Sequence, residues 1–351
     1  MNIAPSYTSS HLFESEYPKL SAMVQKRLEL EWHYHQRSDL EPAGYHLFQY
    51  ALEFGRLLKV VYRHQLTEAL HEEAFWYAEV FDARGWGYDA FALLLDSWII
   101  AIQGIIKPPE CNELAQPLQQ LRETLPSLFK KTRLKKGIEP FTTHSPLVKH
   151  LIQGDVDEAR SIITSLINTN RTPDRIILEE LLTAMAEIGQ LWEFHKIEIF
   201  QEHLATETIR HLLAGFPFIN QQSVHALGLT ALVSCVPGDI HDLIPLALCT
   251  YLELRGWKAK NLGGSLPAEQ IAHAVERLNP HALFLTLTML SMLDNALEVV
   301  ELTGKYTRDC RIVIGGHGAT LSSHILEKHG ILVARDFDHG YNLALGGKTH
   351  A

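Results

Sequence analysis

An Asp-x-His triplet, Asp239-Ile240-His241, follows an apolar run that is rich in β-forming residues, 227–236. An imidazole at the end of a strand can bind a metal ion through one ring nitrogen. The Asp239 carboxylate can accept a hydrogen bond from the other ring nitrogen, which fixes the ring and raises its basicity. The triplet therefore predicts a metal-binding histidine, although the same spacing also occurs where an acidic helix cap precedes a surface histidine.

Small or hydroxyl-bearing residues follow the next three predicted strands. Glycine lets the backbone approach a ligand closely, and ligands of parallel sheets bind beyond the carboxyl ends of the strands. We therefore expect a slot beside His241. The residues predicted to line it are Gly263, Gly264, Thr286, Thr288, Gly315, Gly316 and His317.

The strands that position these residues alternate with helical segments of 10 to 15 residues. This alternation predicts a doubly wound parallel sheet with helices on both faces, a flavodoxin-like or Rossmann-like domain over residues 221–351. The predicted strands are 227–236, 257–262, 282–287, 311–314 and 331–334.

Three segments precede the predicted sheet domain. Residues 1–130 read as an all-helical domain with a heavy load of aromatic residues. Residues 131–146 carry basic residues, Gly137, Pro140 and Pro146, a composition typical of a linker. Residues 147–220 read as four short helices, one of which opens at Thr172-Pro173, with proline at a helix start. The fold class is thus multidomain, α followed by α/β.

The composition excludes several classes of function. The formal net charge of −10 argues against a basic face that binds nucleic acid. The four cysteines are scattered without a CxxC pair, so neither a zinc site nor a disulfide scaffold is expected. The run from Ala90 to Ile106 is too short and too polar to span a bilayer. Because no signal-like segment opens the chain, we expect a cytoplasmic protein.

From residue 227 to about residue 346 the sequence resembles the cobalamin-binding domain. The matching elements are the Asp-x-His triplet and the residues that follow the other three strands. The resemblance implies that His241 is the lower axial ligand of cobalt and that the displaced nucleotide tail of cobalamin lies in the slot, close to Ile240. The family pattern is Asp-x-His-x-x-Gly, and its glycine position is Ile244 in this chain.

The segment Leu182–Leu212 resembles the four-helix cap that covers the upper face of the corrin. Trp192, nine residues and then Glu202-His203 form the pattern of adenosylcobalamin-dependent photoreceptors of the CarH type. The resemblance implies that Trp192 packs against the adenosyl group and that Glu202 and His203 lie near it. The best-known form has a cobalt-capturing histidine directly after the tryptophan, where this chain has Glu193; His195 and His203 are the alternatives for that role.

The overall layout resembles the photocobilins, which join a cobalamin photoreceptor module to a helical domain that binds a bilin such as biliverdin. The aromatic residues of 1–130 fit either a packed core or dimer interface, or a pocket for a flat conjugated ligand. Residues suited to the propionates of a bilin are Arg56, Arg63 and Arg84, with His64 and Asp82 nearby. Cys111 is a candidate for a covalent tether; haem, with His64 or His71 as axial ligand, is the competing tetrapyrrole.

The sequence thus predicts a light-responsive signalling protein that contains adenosylcobalamin, forms a homo-oligomer and acts on a protein partner. It is expected to bind neither nucleic acid nor a membrane. The alternative is an enzyme component, the corrinoid methyl carrier of a methyltransferase. A passive cobalamin store or chaperone is the third reading.

Overall fold

The structure is a computed structural model, and it describes residues 4–33, 44–136, 145–169, 171–219, 226–307 and 309–346. Its contacts divide the chain into two compact units. The first comprises Met1–Thr142 together with Glu193–Lys196, and the second comprises Thr143–Trp192 together with Ile197–Ala351.

The first unit is helical. Its helices are α1 (Tyr7–His33), α2 (Gly44–His64), α3 (Thr67–Ala83), α4 (Gly87–Ile105) and α5 (Glu110–Lys136). Trp98, Phe91 and Phe81 are fully buried, so much of the aromatic load of this region packs in the core. Gly55 on α2 admits the Trp98 ring, because a Cβ at residue 55 would overlap the ring carbons.

Helix α4 is the one helix of the described residues that is long and apolar enough to cross a membrane by length and composition alone. More than half of its apolar window is buried inside the first unit. Its apolar side chains, Phe91 and Trp98 among them, contact other core residues, as expected of a core helix.

Helix α5 corrects the predicted start of the linker. Residues 131–136, which the composition assigned to a linker, continue α5 to Lys136. Lysine and arginine are good helix formers, and their charge is favourable in the last turns of a helix. Residues 137–144 of the predicted linker lie outside the described residues, and its last two residues, Ser145 and Pro146, cap and begin the next helix.

The second unit begins with the predicted group of short helices. They are α6 (Pro146–Gln153), α7 (Val156–Asn168), α8 (Pro173–Ile176), α9 (Leu182–Glu193) and α10 (Ile199–Ile219), with a π-helical turn, Ile177–Leu181, between α8 and α9. Ser145 caps α6 through its side chain, and Gly154 ends it in a left-handed conformation. Proline opens α8, as predicted from Thr172-Pro173.

The rest of the second unit is the parallel sheet with its helices. Among the described residues it has the strands β1 (Thr230–Cys235), β2 (Lys258–Asn261), β3 (Ala282–Thr286), β4 (Arg311–Gly315) and β5 (Leu332–Ala334), paired in the order β2-β1-β3-β4-β5. The helices are α11 (Leu243–Leu254), α12 (Ala268–Leu278), α13 (Leu293–Tyr306), α14 (His317–Leu321), α15 (Ser323–Lys328) and α16 (Phe337–Leu345).

The strand order confirms the predicted flavodoxin-like sheet. All five residues of β3 are buried, as expected of a strand covered on both faces. The order reverses between β1 and β3, and ligands of doubly wound sheets bind in the crevice beyond the strand ends at such a switch point. The loops that follow β1 and β3 carry the Asp239-Ile240-His241 triplet and Thr286–Thr288, so the predicted site residues lie where this fold binds ligands.

Candidate cofactor site

The His241 ring is held from one side and open on the other. Its Nδ1 lies 2.6 Å from Asp239 Oδ1. The Asp239 side chain is completely buried, whereas the His241 side chain is 42% exposed. This pairing assigns the Nδ1 proton to the carboxylate side and leaves Nε2 as a lone-pair donor. The ring is therefore arranged to bind a metal through Nε2.

Asp239 also joins the two loops of the switch point. Its Oδ2 accepts a hydrogen bond of 2.8 Å from the backbone N–H of Thr288. Burial opposes ionisation of Asp239, but the hydrogen bonds from His241 and Thr288 outweigh it and hold the pKa of the carboxyl below its ordinary value. The carboxylate is thus ionised at neutral pH and can accept hydrogen bonds from both partners.

A lone imidazole does not hold a bare metal ion. Among the described residues no group of three or more His, Cys, Asp or Glu side chains could hold one. Structural and catalytic metal sites in proteins use three or four protein ligands. The cobalt of a corrin ring needs only one such imidazole, because the ring itself supplies most of its ligands.

The glycines beyond the strands separate into two kinds. At Gly263 (φ +80°) a Cβ would meet nothing within 4 Å, so this backbone faces open space. At Gly316 a Cβ would lie 2.5 Å from the Leu287 carbonyl oxygen, and at Gly318 it would lie 2.9 Å from Leu290 N. Gly264 is also close-packed, since its Cβ would lie 3.2 Å from Asp242 Cβ. The close-packed glycines bring the loops together, and the open one borders the slot.

Buried hydroxyl groups at the same edge have no protein partner. Thr288 Oγ1 and Ser291 Oγ are both buried without a hydrogen bond. An unpaired buried hydroxyl is unfavourable, and a polar ligand would supply the missing bonds. Together with the open backbone at Gly263, these atoms fit the polar nucleotide tail of a cobalamin.

The remaining predicted residues of this edge are placed as follows. Thr286 ends β3 and pairs in register with Gly315 at the end of β4. His317 begins α14 and is exposed, and Ile240 is 79% exposed beside the ligand candidate. Ile244, in the first turn of α11, donates its backbone N–H to the His241 carbonyl.

Helix α10 presents the predicted cap residues. His203 is exposed, and Glu202 is half-buried and accepts a 2.9 Å hydrogen bond from Thr206 Oγ1. An open cavity of about 640 Å³ lies on this helix, lined by Ile199, Phe200, His203, Leu204 and Glu207. Its three apolar members are among the most exposed large hydrophobic side chains of the chain. Such a surface suits a flat apolar ligand or the upper side of a macrocycle.

An ion pair ties α10 to the loop that bears His241. Arg210 Nη2 lies 2.9 Å from Asp242 Oδ1, and Arg210 Nε lies 3.3 Å from Glu207. The hydrogen bond to Asp242 is the largest cause of the raised pKa of Arg210. The pair therefore links α10 to the loop that bears His241 within the second unit.

Trp192 and Glu193 lie at the end of α9. Trp192 is half-buried in the second unit. The next four residues, Glu193–Lys196, belong to the first unit, where Glu193 Oε1 accepts a 2.8 Å hydrogen bond from Trp76 Nε1. His195 is exposed in the turn that follows, with φ +52°.

The residues predicted for a second tetrapyrrole have protein partners. Arg56 pairs with Glu53 at 3.0 Å, and Arg63 pairs with Glu14. Asp82 pairs with Arg133 at 3.3 Å. Arg84 donates a hydrogen bond to the Glu193 carbonyl oxygen.

The two histidines predicted as haem ligands lie on α2 and α3. His64 ends α2, and His71 Nδ1 lies 3.0 Å from the Thr67 carbonyl oxygen. Cys111 is buried. Bilin or haem binding by this unit stays a prediction.

Two family models match the second unit. Residues 229–337 match one described as a B12 binding domain, and residues 145–214 match another with the same description. The chain contains a cobalamin-binding module. The module comprises the cap helices and the sheet, and it includes the loop of His241, the glycines of the slot and the α10 residues described above.

Curated relatives of the cobalamin-binding module fall into two groups. The HTH-type transcriptional repressors CarA and CarH of Myxococcus xanthus are 27% identical over 139 residues and 26% identical over 151 residues, 40% and 43% of this chain. The chain spans about half the length of these repressors, 46% and 50%. Dimethylamine corrinoid protein 1 of Methanosarcina acetivorans is 22% identical over 151 residues, 42% of this chain and 71% of that protein.

Three features of the site were missed by reasoning from the sequence. Ser291 follows Thr288 by three residues, and this spacing after the predicted third strand was the available signal. No sequence pattern indicated the partners of Arg210 and Glu193, because Asp242 and Trp76 are 32 and 117 residues away in the chain.

Proposed function

We propose that this protein is a light-responsive, cobalamin-dependent signalling protein in which His241 is the lower axial ligand of cobalt. The observation that carries the ligand assignment is the fully buried Asp239 carboxylate, which holds the exposed His241 ring by its Nδ1. The Trp192, Glu202 and His203 pattern, shared with adenosylcobalamin-dependent photoreceptors, supports the adenosyl form and the response to light.

In this proposal each part of the chain has one task. Bound adenosylcobalamin supplies a cobalt–carbon bond that light breaks. His241 and Asp239 orient the lower side, and Gly263, Thr288 and Ser291 accept the nucleotide tail. Trp192 and α10 cover the upper side, and they rearrange when the upper ligand leaves. The first unit responds to this change and alters its contacts with a protein partner or a second copy of the chain.

The test of light response is direct. Protein loaded with adenosylcobalamin in the dark should change both its absorption spectrum and its oligomeric mass on illumination. Protein loaded with hydroxocobalamin is the control, because it has no cobalt–carbon bond to break. Unchanged spectrum and mass in the adenosyl sample would remove the light response from the proposal.

The ligand assignment has a separate test. His241→Ala should release cobalamin during gel filtration and lose the spectral signature of an imidazole ligand. His329→Ala is the matched control, because His329 is exposed and precedes β5 at the opposite edge of the sheet. Full retention by His241→Ala would show that another group binds cobalt.

A biliverdin bound by the first unit is a further part of the proposal. Its support is the aromatic composition and the arginines Arg56, Arg63 and Arg84. Protein expressed with biliverdin should show a far-red absorption band; a spectrum without that band would exclude a bilin.

One observation favours a second function, a corrinoid methyl carrier. The apolar cavity on α10 is open, and a carrier needs an accessible upper side for the enzymes that load and unload it. In that case the methylcobalamin form should lose its methyl group to a thiol or folate acceptor when the matching methyltransferase is added. Retention of the methyl group under those conditions would exclude the carrier.

A further inference from the structure

The end of α9 is fixed by residues of the first unit. Helix α9 belongs to the second unit as far as Trp192, and the chain then runs through the first unit from Glu193 to Lys196. At Ile197 it returns to the second unit. Trp192 is therefore the last residue of this segment of the second unit, and a peptide bond joins it to Glu193, which belongs to the first unit.

Glu193 is held at two points. Its carboxylate accepts the indole N–H of Trp76 at 2.8 Å, and its carbonyl oxygen accepts a hydrogen bond of 3.3 Å from Arg84 Nη1. Arg84 in turn lies over the Trp86 ring, 5.8 Å from its centroid. Burial is the main cause that raises the pKa of Tyr50; the charge of Arg84 lowers this pKa and the charge of Glu193 raises it. Both charges thus act on the same half-buried phenol.

These contacts offset an unfavourable local arrangement. A carboxylate at the C-terminus of a helix is repelled by the partial negative charge of the free carbonyl groups. The Trp76 N–H neutralises part of the charge on Glu193, and Arg84 satisfies a terminal carbonyl group, which is a known way to end a helix. His195 then adopts φ +52°, the left-handed conformation that terminates helices.

We propose that Glu193 is a positioning residue for Trp192 and thereby sets the preference of the site for the upper ligand of cobalt. This inference rests on the proposed function, in which Trp192 covers the adenosyl group. Consecutive Cα atoms lie about 3.8 Å apart. Because Glu193 is held by its side chain and its carbonyl group, the peptide group that joins it to Trp192 is restrained as well, and with it the direction in which the Trp192 side chain leaves α9. Trp76 and Arg84 act on the site through this one peptide link.

The experiment measures the ratio of dissociation constants for methylcobalamin and adenosylcobalamin in the full chain. Glu193→Leu and Trp76→Phe each remove the indole–carboxylate bond and should lower the preference for adenosylcobalamin about 5- to 10-fold, within the range expected for the net contribution of one hydrogen bond. Glu193→Gln keeps an acceptor for Trp76 and should retain most of the preference. Glu198→Leu, at an exposed glutamate beyond the turn, is the matched control and should change nothing.

A double variant tests whether the two residues act through one bond. Trp76→Phe combined with Glu193→Leu should change the ratio no more than the larger single effect, because both substitutions remove the same contact. Circular dichroism and the melting temperature of each variant separate this effect from a loss of structure.

Three outcomes would overturn the inference. In the first, Glu193→Leu and Trp76→Phe lower the melting temperature but leave the ratio unchanged. In the second, their effects on the ratio add fully in the double variant. In the third, the wild-type chain binds both cobalamins equally. The proposed light response fails on a different measurement, the illumination of wild-type protein, so the two failures are distinguishable.

Discussion

His241 can act as a ligand only if its ring is held with one nitrogen outward, and Asp239 does this from a buried position. The same carboxylate receives the backbone N–H of Thr288, so its two oxygens have different partners. Both oxygens must accept, which a carboxylate does and an amide does not. The geometry of the site thus depends on the charge state of one side chain.

Asp239→Asn is expected to weaken cobalamin binding about 10- to 100-fold, the usual effect of replacing a partner of a metal-binding histidine. An amide presents one acceptor and one donor, so either the His241 ring or the Thr288 N–H faces a donor. Equilibrium dialysis measures the change. Asp157→Asn, at a highly exposed position, should bind as the wild type does; equal affinity of the Asp239→Asn variant would contradict the assigned role.

Gly318→Ala should destabilise the second unit by about 1–3 kcal/mol, the usual effect of overpacking. The new Cβ would lie 2.9 Å from Leu290 N, which is backbone and gives way only if the loop after β3 moves. Gly304→Ala on α13 is the control: no atom lies within 4 Å of its Cβ position, and the unfolded chain loses entropy, so it should stabilise by about 0.5–1 kcal/mol. Urea unfolding measures both; a neutral Gly318→Ala would show that the loop yields.

At the residue scale, the sequence was sufficient to predict the His241–Asp239 pair but not the contacts around it. The Asp-x-His spacing predicted the His241–Asp239 hydrogen bond because its partners lie two positions apart in the chain. The Thr288 bond depends on the pairing of β1 with β3, and the Arg210–Asp242 pair depends on how α10 packs. Such contacts are decided by tertiary structure, which a local pattern does not contain.

At the scale of elements, the boundaries follow from caps, prolines and glycines. The breaks at Gly85-Trp86-Gly87 and at Gly154, and the helix start at Pro173, could all be read from the sequence. The π-helical turn Ile177–Leu181 could not, because its residues have ordinary helix propensities and only packing favours the wider turn. The order of the strands needed the structure, because alternating strands and helices predict a parallel sheet but not the order of its strands.

The attachment of α1 to α5 gives a pH-dependent prediction. Glu113 on α5 accepts hydrogen bonds from Ser9 Oγ and from the backbone N–H of Ser6, and these bonds hold the pKa of Glu113 below its ordinary value. A lowered pKa stabilises the folded state above the ordinary glutamate pKa, and the effect is lost as pH falls through the lowered value.

Glu113→Gln should therefore lower the melting temperature of the first unit at pH 7 more than at pH 4. The difference between variant and wild type should stay constant from pH 7 down to the ordinary glutamate pKa of about 4.5 and should shrink below it. Melting curves of both proteins across the pH range measure it. A difference independent of pH would mean that the charge of Glu113 does not matter for this attachment.

At the scale of the whole molecule, the two units are not two successive stretches of chain. Residues 193–196 interrupt the second unit and complete the first. A fragment of residues 143–351 keeps His241, Asp239 and α10 but lacks Trp76 and Arg84. We expect it to bind cobalamin and to show the reduced preference for adenosylcobalamin predicted for Glu193→Leu.

Competition binding with the two cobalamins measures this preference in the fragment and in the full chain. Equal preference in the two would mean that α9 is positioned within the second unit alone. No sequence pattern marks this interruption, because by composition and periodicity the cap helices read as one continuous segment, 147–220.

The parallel sheet also sets the order in which the site can assemble during synthesis. All its described strand pairs are parallel, so none can close as a local hairpin. Asp239 and its partner Thr288 are 49 residues apart, and at about 5–20 residues per second a ribosome takes roughly 2–10 s to make that stretch. The nascent loop of His241 lacks its Thr288 anchor during this interval. We therefore expect cobalamin to bind firmly only after the third strand has been made.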